Sequence, residues 1–206
     1  MRSRAARFVA SLMFLCLSAI LGTRAEEGKS LRQDKPEAQE APAPKSPAEI
    51  RAEIYDRLAA SKDDDETQGL IRLLFAAYSQ SGSDTGDLLL ERARKAMTAK
   101  DFDAASKMLD AAISILPNWA EGWNARSTLR WLDDDYAGSM ADIAETLMRE
   151  PRHIGALSGM AMILAARDKK EEALTVYERI LAIAPHWKSA EEAAGKLRAA
   201  VKGQEL

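Results

Sequence analysis

Along most of the chain apolar residues return every three or four positions, the period of an α-helix that buries one face. Ile50, Ile54 and Leu58 share such a face within residues 47–61, and Leu70, Leu74 and Tyr78 share another within 66–80. Between 86 and 187 the apolar stretches are separated by the polar turns AKDFD, LDDDY and ARDKK. After 187, Leu197 and Val201 lie on one side of a further helical stretch, with Glu191, Glu192, Lys196 and Arg198 on the other. The first helix has a clear start: Ser46 can cap it, Pro47 suits the first helical position and Glu49 completes a capping box. The acidic run Asp63 to Glu66 marks another helix start, complementing the partial positive charge there. The pattern predicts an all-α fold.

Three of the seven prolines, Pro117, Pro151 and Pro185, are spaced 34 residues apart. A fixed period of this kind points to stacked helical hairpins, because one hairpin can bury its apolar face only against its neighbours. Aligned on the prolines, the units are 86–119, 120–153 and 154–187. Their eighth positions carry Ala93, Ser127 and Ala161, and their twentieth positions carry Ala105, Ser139 and Ala173, small residues where two backbones must approach. Large residues fill the packing positions: Leu89, Trp123 and Leu157 at the fourth, Leu109, Ile143 and Tyr177 at the twenty-fourth. Each unit is helix, turn, helix, proline.

This arrangement resembles the tetratricopeptide repeat (TPR), over residues 86–187. The departure is at the eleventh position, where that family favours tyrosine and Ala96, Arg130 and Leu164 stand here. The resemblance implies an α-solenoid of antiparallel helix hairpins with three repeats. Counting back 34 residues puts Ala59 at an eighth position, so 47–85 is expected to be a degenerate N-terminal hairpin in phase with the rest. Residues 188–206 are expected to be a capping helix and tail. The resemblance further implies a concave groove lined by the first helix of each unit: Asp87, Leu90, Arg94 and Met97, then Glu121, Asn124, Thr128 and Trp131, then Gly155, Ser158 and Met162. Asn124 would bond a peptide backbone, Arg94 a carboxylate, and Trp131 would anchor an apolar side chain. Chaperone-binding members of the family clamp a C-terminal carboxylate with side chains that include the second and sixth positions of the third unit. Gly155 and Gly159 occupy those positions and offer no side-chain donor, so that clamp is not expected. The function implied is a non-enzymatic module that binds a protein or peptide partner; the alternative is a structural subunit of a homo-oligomer or envelope assembly.

The N-terminus adds a location. Arg2, Arg4 and Arg7 precede an apolar block from Phe8 to Leu21, and Thr23-Arg24-Ala25 offers a small-residue exit before Glu26. That is the layout of a secretory signal peptide over 1–25, and the block is short for a membrane span. Lipid attachment at Cys16 is the poorer reading, because Met13, Phe14 and Leu15 precede it. Residues 26–46 carry Pro36, Pro42 and Pro44 and, among large apolar residues, only Leu31, the composition of a disordered linker. Removal of 1–25 takes away the single cysteine and four arginines, leaving 25 basic against 32 acidic residues. Such a chain makes no disulfide and is not built to grip nucleic acid or anionic lipid. A bacterial periplasm fits best, with membrane contact only if the segment is retained.

Candidate chemistry is sparse. Asp84-Thr85-Gly86 matches an aspartic-protease triplet, but it occurs once and in a helical chain, where Asp84 or Thr85 is better read as a helix cap. No Ser-x-x-Lys or Gly-x-Ser-x-Gly nucleophile motif occurs. The run Asp133 to Asp135 has Gly138 at the sixth position of a calcium loop but Ala144 where the twelfth requires glutamate. His153 and His186 lack the companions of a zinc site, and Met97, Met160 and Met162 are ordinary packing residues. No catalytic residue, metal site or cofactor is expected. If the signal reading is right, N-terminal sequencing of protein taken from the envelope returns Glu26 as the first residue; an intact Met1 would replace it with a membrane-anchored module.

Overall fold

The computed structural model describes residues 44–203. The predicted signal peptide and all of the predicted linker before residue 44 lie outside the described residues. Within them run nine α-helices: α1 (Pro47–Ala60), α2 (Asp64–Tyr78), α3 (Asp84–Thr98), α4 (Phe102–Ile115), α5 (Ala120–Leu132), α6 (Tyr136–Arg149), α7 (Ile154–Ala166), α8 (Lys170–Ile183) and α9 (Lys188–Lys202). None of them is long and apolar enough to cross a membrane.

Local chemistry sets the boundaries. Ser46 and Glu49 form the reciprocal box: Glu49 N donates to Ser46 Oγ at 3.3 Å, and Ser46 N donates to Glu49 Oε2 at 2.7 Å. Asp63, Asp101 and Asp135 cap α2, α4 and α6 in one direction only, each side chain accepting from the third helical N–H, each worth about 1 kcal/mol. The cap of α3 is Ser83, which accepts from Gly86 N. The helix begins one residue earlier than expected, so Asp84 and Thr85 fall inside it.

The hairpins α3/α4, α5/α6 and α7/α8 pack as antiparallel pairs, and α9 packs on α8. Ala93, Ala105, Ala161 and Ala173 are fully buried at the close approaches. In the middle repeat serines stand at both positions. Ser139 Oγ donates to the Ser127 carbonyl at 2.9 Å, so the polar pair is satisfied without loosening the contact. Lys100, Asp134 and Asp168 sit at φ 60–61°, one in each intra-repeat turn. Each is an αL residue whose own N–H and the next one fold back on the helix: Lys100 N donates to Met97 O and Asp101 N to Ala96 O, both repeated one and two units on.

The N-terminal hairpin is present but does not continue the stack. Ala59, expected at a close approach, is exposed, and Ile54, Tyr55 and Leu58 are buried instead. They join Leu70, Leu74 and Tyr78 of α2 in a core shared with Ile154 and Ala184, packed by Ile183 and Trp187. α2 crosses the heads of three later helices. Asp64 Oδ1 accepts from Lys188 N of α9 at 3.0 Å, the Tyr78 hydroxyl accepts from Ile154 N of α7 at 3.3 Å, and the Trp119 indole before α5 donates to the Tyr78 carbonyl at 2.9 Å. α1 lies along the same row, with Arg51 on Glu150 at 3.3 Å and Tyr55 donating to the Arg152 carbonyl at 2.9 Å. The helices α5 and α9 have no side-chain cap of their own from Trp119 and Trp187, and the hairpin covers the row where those junction residues lie.

Lysine is a poor occupant of the αL position at residue 100. Lys100→Gly removes a clash of about 1 kcal/mol without altering any contact, and is expected to raise stability by part of that amount in urea unfolding; a loss of stability would show the turn to be held by the lysine side chain.

Candidate functional site

The expected groove residues fall into two groups with different fates. At the head of the concave side, Glu121 is buried at 4% exposure among three partners. Arg94 donates to one carboxylate oxygen; Asn124 Nδ2 and His153 Nε2 meet the other at 3.0 and 3.1 Å. His153 is fully buried and caps α7, its Nδ1 accepting from Ala156 N at 3.2 Å. With Nδ1 an acceptor, the ring proton belongs on Nε2, where it is donated to Glu121. The Tyr78 ring stacks on the imidazole with centroids 3.8 Å apart. Arg94 also donates to Ser79 Oγ at 2.9 Å, and Asp87 accepts from Ser81 N and Oγ.

Glu121 is thereby closed within the fold, whereas Asp87, Leu90 and Arg94, the Arg94 side chain still 47% exposed, border a separate opening of about 450 Å³ with Ser79 and Thr98. Leu90, at 1% exposure, is core, and Met97 is half-buried against that core. Asp87, Arg94 and Glu121 are paired internally because the end of α2 and the loop after it come to rest beside α3 and α5. The segment before α3 supplies these partners from Ser79 and Ser81 without closing the face of α3 around Arg94.

The second group surrounds an open cleft of about 220 Å³ between α5 and α7. Asn124, Thr128 and Trp131 line it from α5, Ser158 and Met162 from α7, with Ile143 of α6 behind. Trp131 is 38% exposed and Met162 48%. Gly155 stands at the upper end, where a Cβ would come within 3.1 Å of the Phe75 ring and that ring would have to shift to admit it. No charged side chain lines the cleft.

Two features of the structure were not anticipated from the sequence. Arg126 forks onto Asp142 with Nε and Nη2 each at 2.9 Å, Arg130 joins at 3.0 Å, and Arg126 also reaches Asp110 of the preceding repeat at 2.8 Å. Hydrogen bonding to Asp142 raises the Arg126 guanidinium above its ordinary value. This pairing uses Arg130, the eleventh-position residue that departs from the family pattern. Trp123 is half-buried, its indole donating to the Pro117 carbonyl at 3.0 Å with the Arg126 and Arg149 guanidiniums over its ring. Among the described residues no group of three His, Cys, Asp or Glu side chains is placed to hold a metal ion.

No family model matches the sequence. A TPR repeat-containing protein of Rhizobium etli is 37% identical over 161 residues, 78% of this chain and 79% of the relative. Among solved structures, the first TPR of Spaghetti (RPAP3) bound to the HSP90 peptide SRMEEVD matches with a TM-score of 0.54 at 21% identity, covering 58% of this chain and 95% of that one. The Arabidopsis OM64 TPR domain matches at 0.51 and 17% identity, covering 55% and 94%. At these identities the two structures speak for the fold.

The phenols that hold the hairpin down give a test of the geometry at the head of the groove. Burial is the main cause that pushes both Tyr55 and Tyr78 well above the ordinary phenol range. An unfolded chain ionises its tyrosines near pH 10, while the folded chain keeps these two protonated, so their stabilisation is intact below about pH 10 and falls away as pH rises further. In an alkaline titration their ionisation, followed by tyrosinate absorbance, should coincide with loss of helical circular dichroism; tyrosinate formed well ahead of that loss would show the phenols open to water.

Proposed function

The chain belongs to the tetratricopeptide-repeat family, and on that footing we propose that it is a non-enzymatic interaction module holding a peptide or helical segment of a partner protein in the cleft between α5 and α7. The observation that carries this reading is the contrast along the concave side. Where Glu121 and Arg94 stand, every strong polar group already has an internal partner. At Trp131 and Met162 large apolar side chains stand partly in water around an open cleft, and an exposed aromatic beside a cleft is the usual anchor of a binding site.

A fold neighbour that holds a peptide supports a peptide or protein segment as the kind of partner. The chemistry of that peptide does not transfer: SRMEEVD is acidic, and the cleft has no cationic side chain to receive it. The signal-like segment at 1–25 supports a partner in the bacterial envelope.

The joint substitution Asn124→Ala and Trp131→Ala tests the site. Both residues are at least partly exposed, so helical content should be unchanged while capture of the partner from an envelope extract falls by at least tenfold, the loss of about 1.4 kcal/mol or more expected of an aromatic anchor. Undiminished capture would remove the cleft from the account.

A further inference from the structure

His153 is fully buried, and both of its ring nitrogens are in use, in opposite senses. Nδ1 accepts from Ala156 N at 3.2 Å and so caps α7, while Nε2 donates to Glu121 at 3.1 Å. Only the neutral ring does both, because an imidazolium is a donor at each nitrogen. A second proton has one place to go. At Nδ1 it meets the Ala156 N–H and stands at the positive end of α7.

The ionised groups on the surrounding elements give that proton little compensation. Glu121 of α5 attracts it, but the Glu121 carboxylate is already met by Arg94 of α3. In the loop that carries the ring, Glu150 is paired with Arg51 of α1, and Arg152 lies over the Tyr55 ring. Three guanidiniums thus stand against two carboxylates before the ring takes up any charge. α2 presents a phenol: Tyr78 stacks on the imidazole at 3.8 Å and is hydrogen-bonded to the Tyr55 hydroxyl. Burial pushes both phenols up, so both stay neutral in acid.

Water reaches a protonated ring only if its cover moves, and that cover is the end of α2. The hairpin joins the array through residues 79–83, where Gly82 sits at φ 79°. Its hold on this spot is Tyr78, whose hydroxyl accepts from Ile154 N and whose carbonyl accepts from the Trp119 indole. We propose that His153 is an acid-operated latch: uptake of a proton at Nδ1 breaks the cap of α7 and lifts the end of α2 from the heads of α5 and α7. Phe75, which abuts Gly155, moves with it, and Arg94 loses Ser79. The sign follows from proton binding. The opened chain takes up an imidazole proton near the ordinary value of about 6.5, so it binds more protons than the closed one and gains on it as pH falls. The latch does not depend on the α5–α7 cleft being the binding site.

The whole protein is followed by NMR from about pH 8 to about pH 5, a range that spans the ordinary imidazole value. The signals read are the His153 ring and the Ala156 amide, and hydrogen exchange of α2 is measured at both ends and corrected for the intrinsic effect of pH. The Ala156 amide should move together with ring protonation, and protection of α2 should fall by about tenfold. His186, the other histidine of the chain, is exposed, so His186→Asn should leave the response unchanged. His153→Asn keeps a side chain that caps a helix and takes up no proton, and should abolish it. The proposal is overturned if the ring is protonated with α2 as protected as before, if the ring stays neutral until the whole chain unfolds, or if His153→Asn responds like the parent. The first two outcomes need no variant, so they decide the matter even where the substitution impairs folding.

Discussion

A helix that starts abruptly after a turn presents N–H groups with no partner, and in this chain three such starts lie in a row at the junctions after Trp119, His153 and Trp187. What the row needs is hydrogen-bond acceptors and apolar cover. His153 provides for α7 from within, and the α1–α2 hairpin provides the rest through Tyr78, Asp64 and the core around Leu58 and Leu74. A solenoid ordinarily couples each repeat only to the next. Here one hairpin touches all three junctions, so the array is tied across its length, and the network of Arg94, Glu121, His153 and Tyr78 that engages the Glu121 carboxylate is a by-product of that tie.

The repeats themselves are legible in the sequence because their constraint is local and periodic. Prolines at 117, 151 and 185 and small residues at 93, 105, 161 and 173 mark turns and backbone contacts whose spacing does not depend on anything else in the chain. The position of α1 and α2 is not legible in this way. Any amphipathic hairpin can be counted into phase, and Ala59 fitted the count although its neighbours Ile54, Tyr55 and Leu58 form the buried face. The available signal was chemical: two tyrosines set into otherwise apolar faces, whose hydroxyls required partners once buried.

The candidate site divides along the same line. Thr128, Trp131 and Met162 remain open because they lie further down α5 and α7, away from the helix heads. Glu121 is closed because its partners Arg94 and His153 come from 27 and 32 positions away, contacts that counting within one repeat does not reveal. The middle repeat is also where the family pattern is most altered. Ser127, Ser139 and Arg130 replace the usual packing residues, and the same substitutions supply the bonded hydroxyls of the cleft wall and the ion pair behind it.

The crossing of α2 over α9 has a consequence for assembly in time. Asp64 meets Lys188 across 124 residues, and Arg51 meets Glu150 across 99, whereas repeats fold by contacts close in sequence. During synthesis from the N-terminus the first hairpin emerges long before its binding surface exists, and the side of its core that meets Ile154 and Ala184 stays uncovered until the third repeat is complete. The first hairpin to be made is thus the last to find its place.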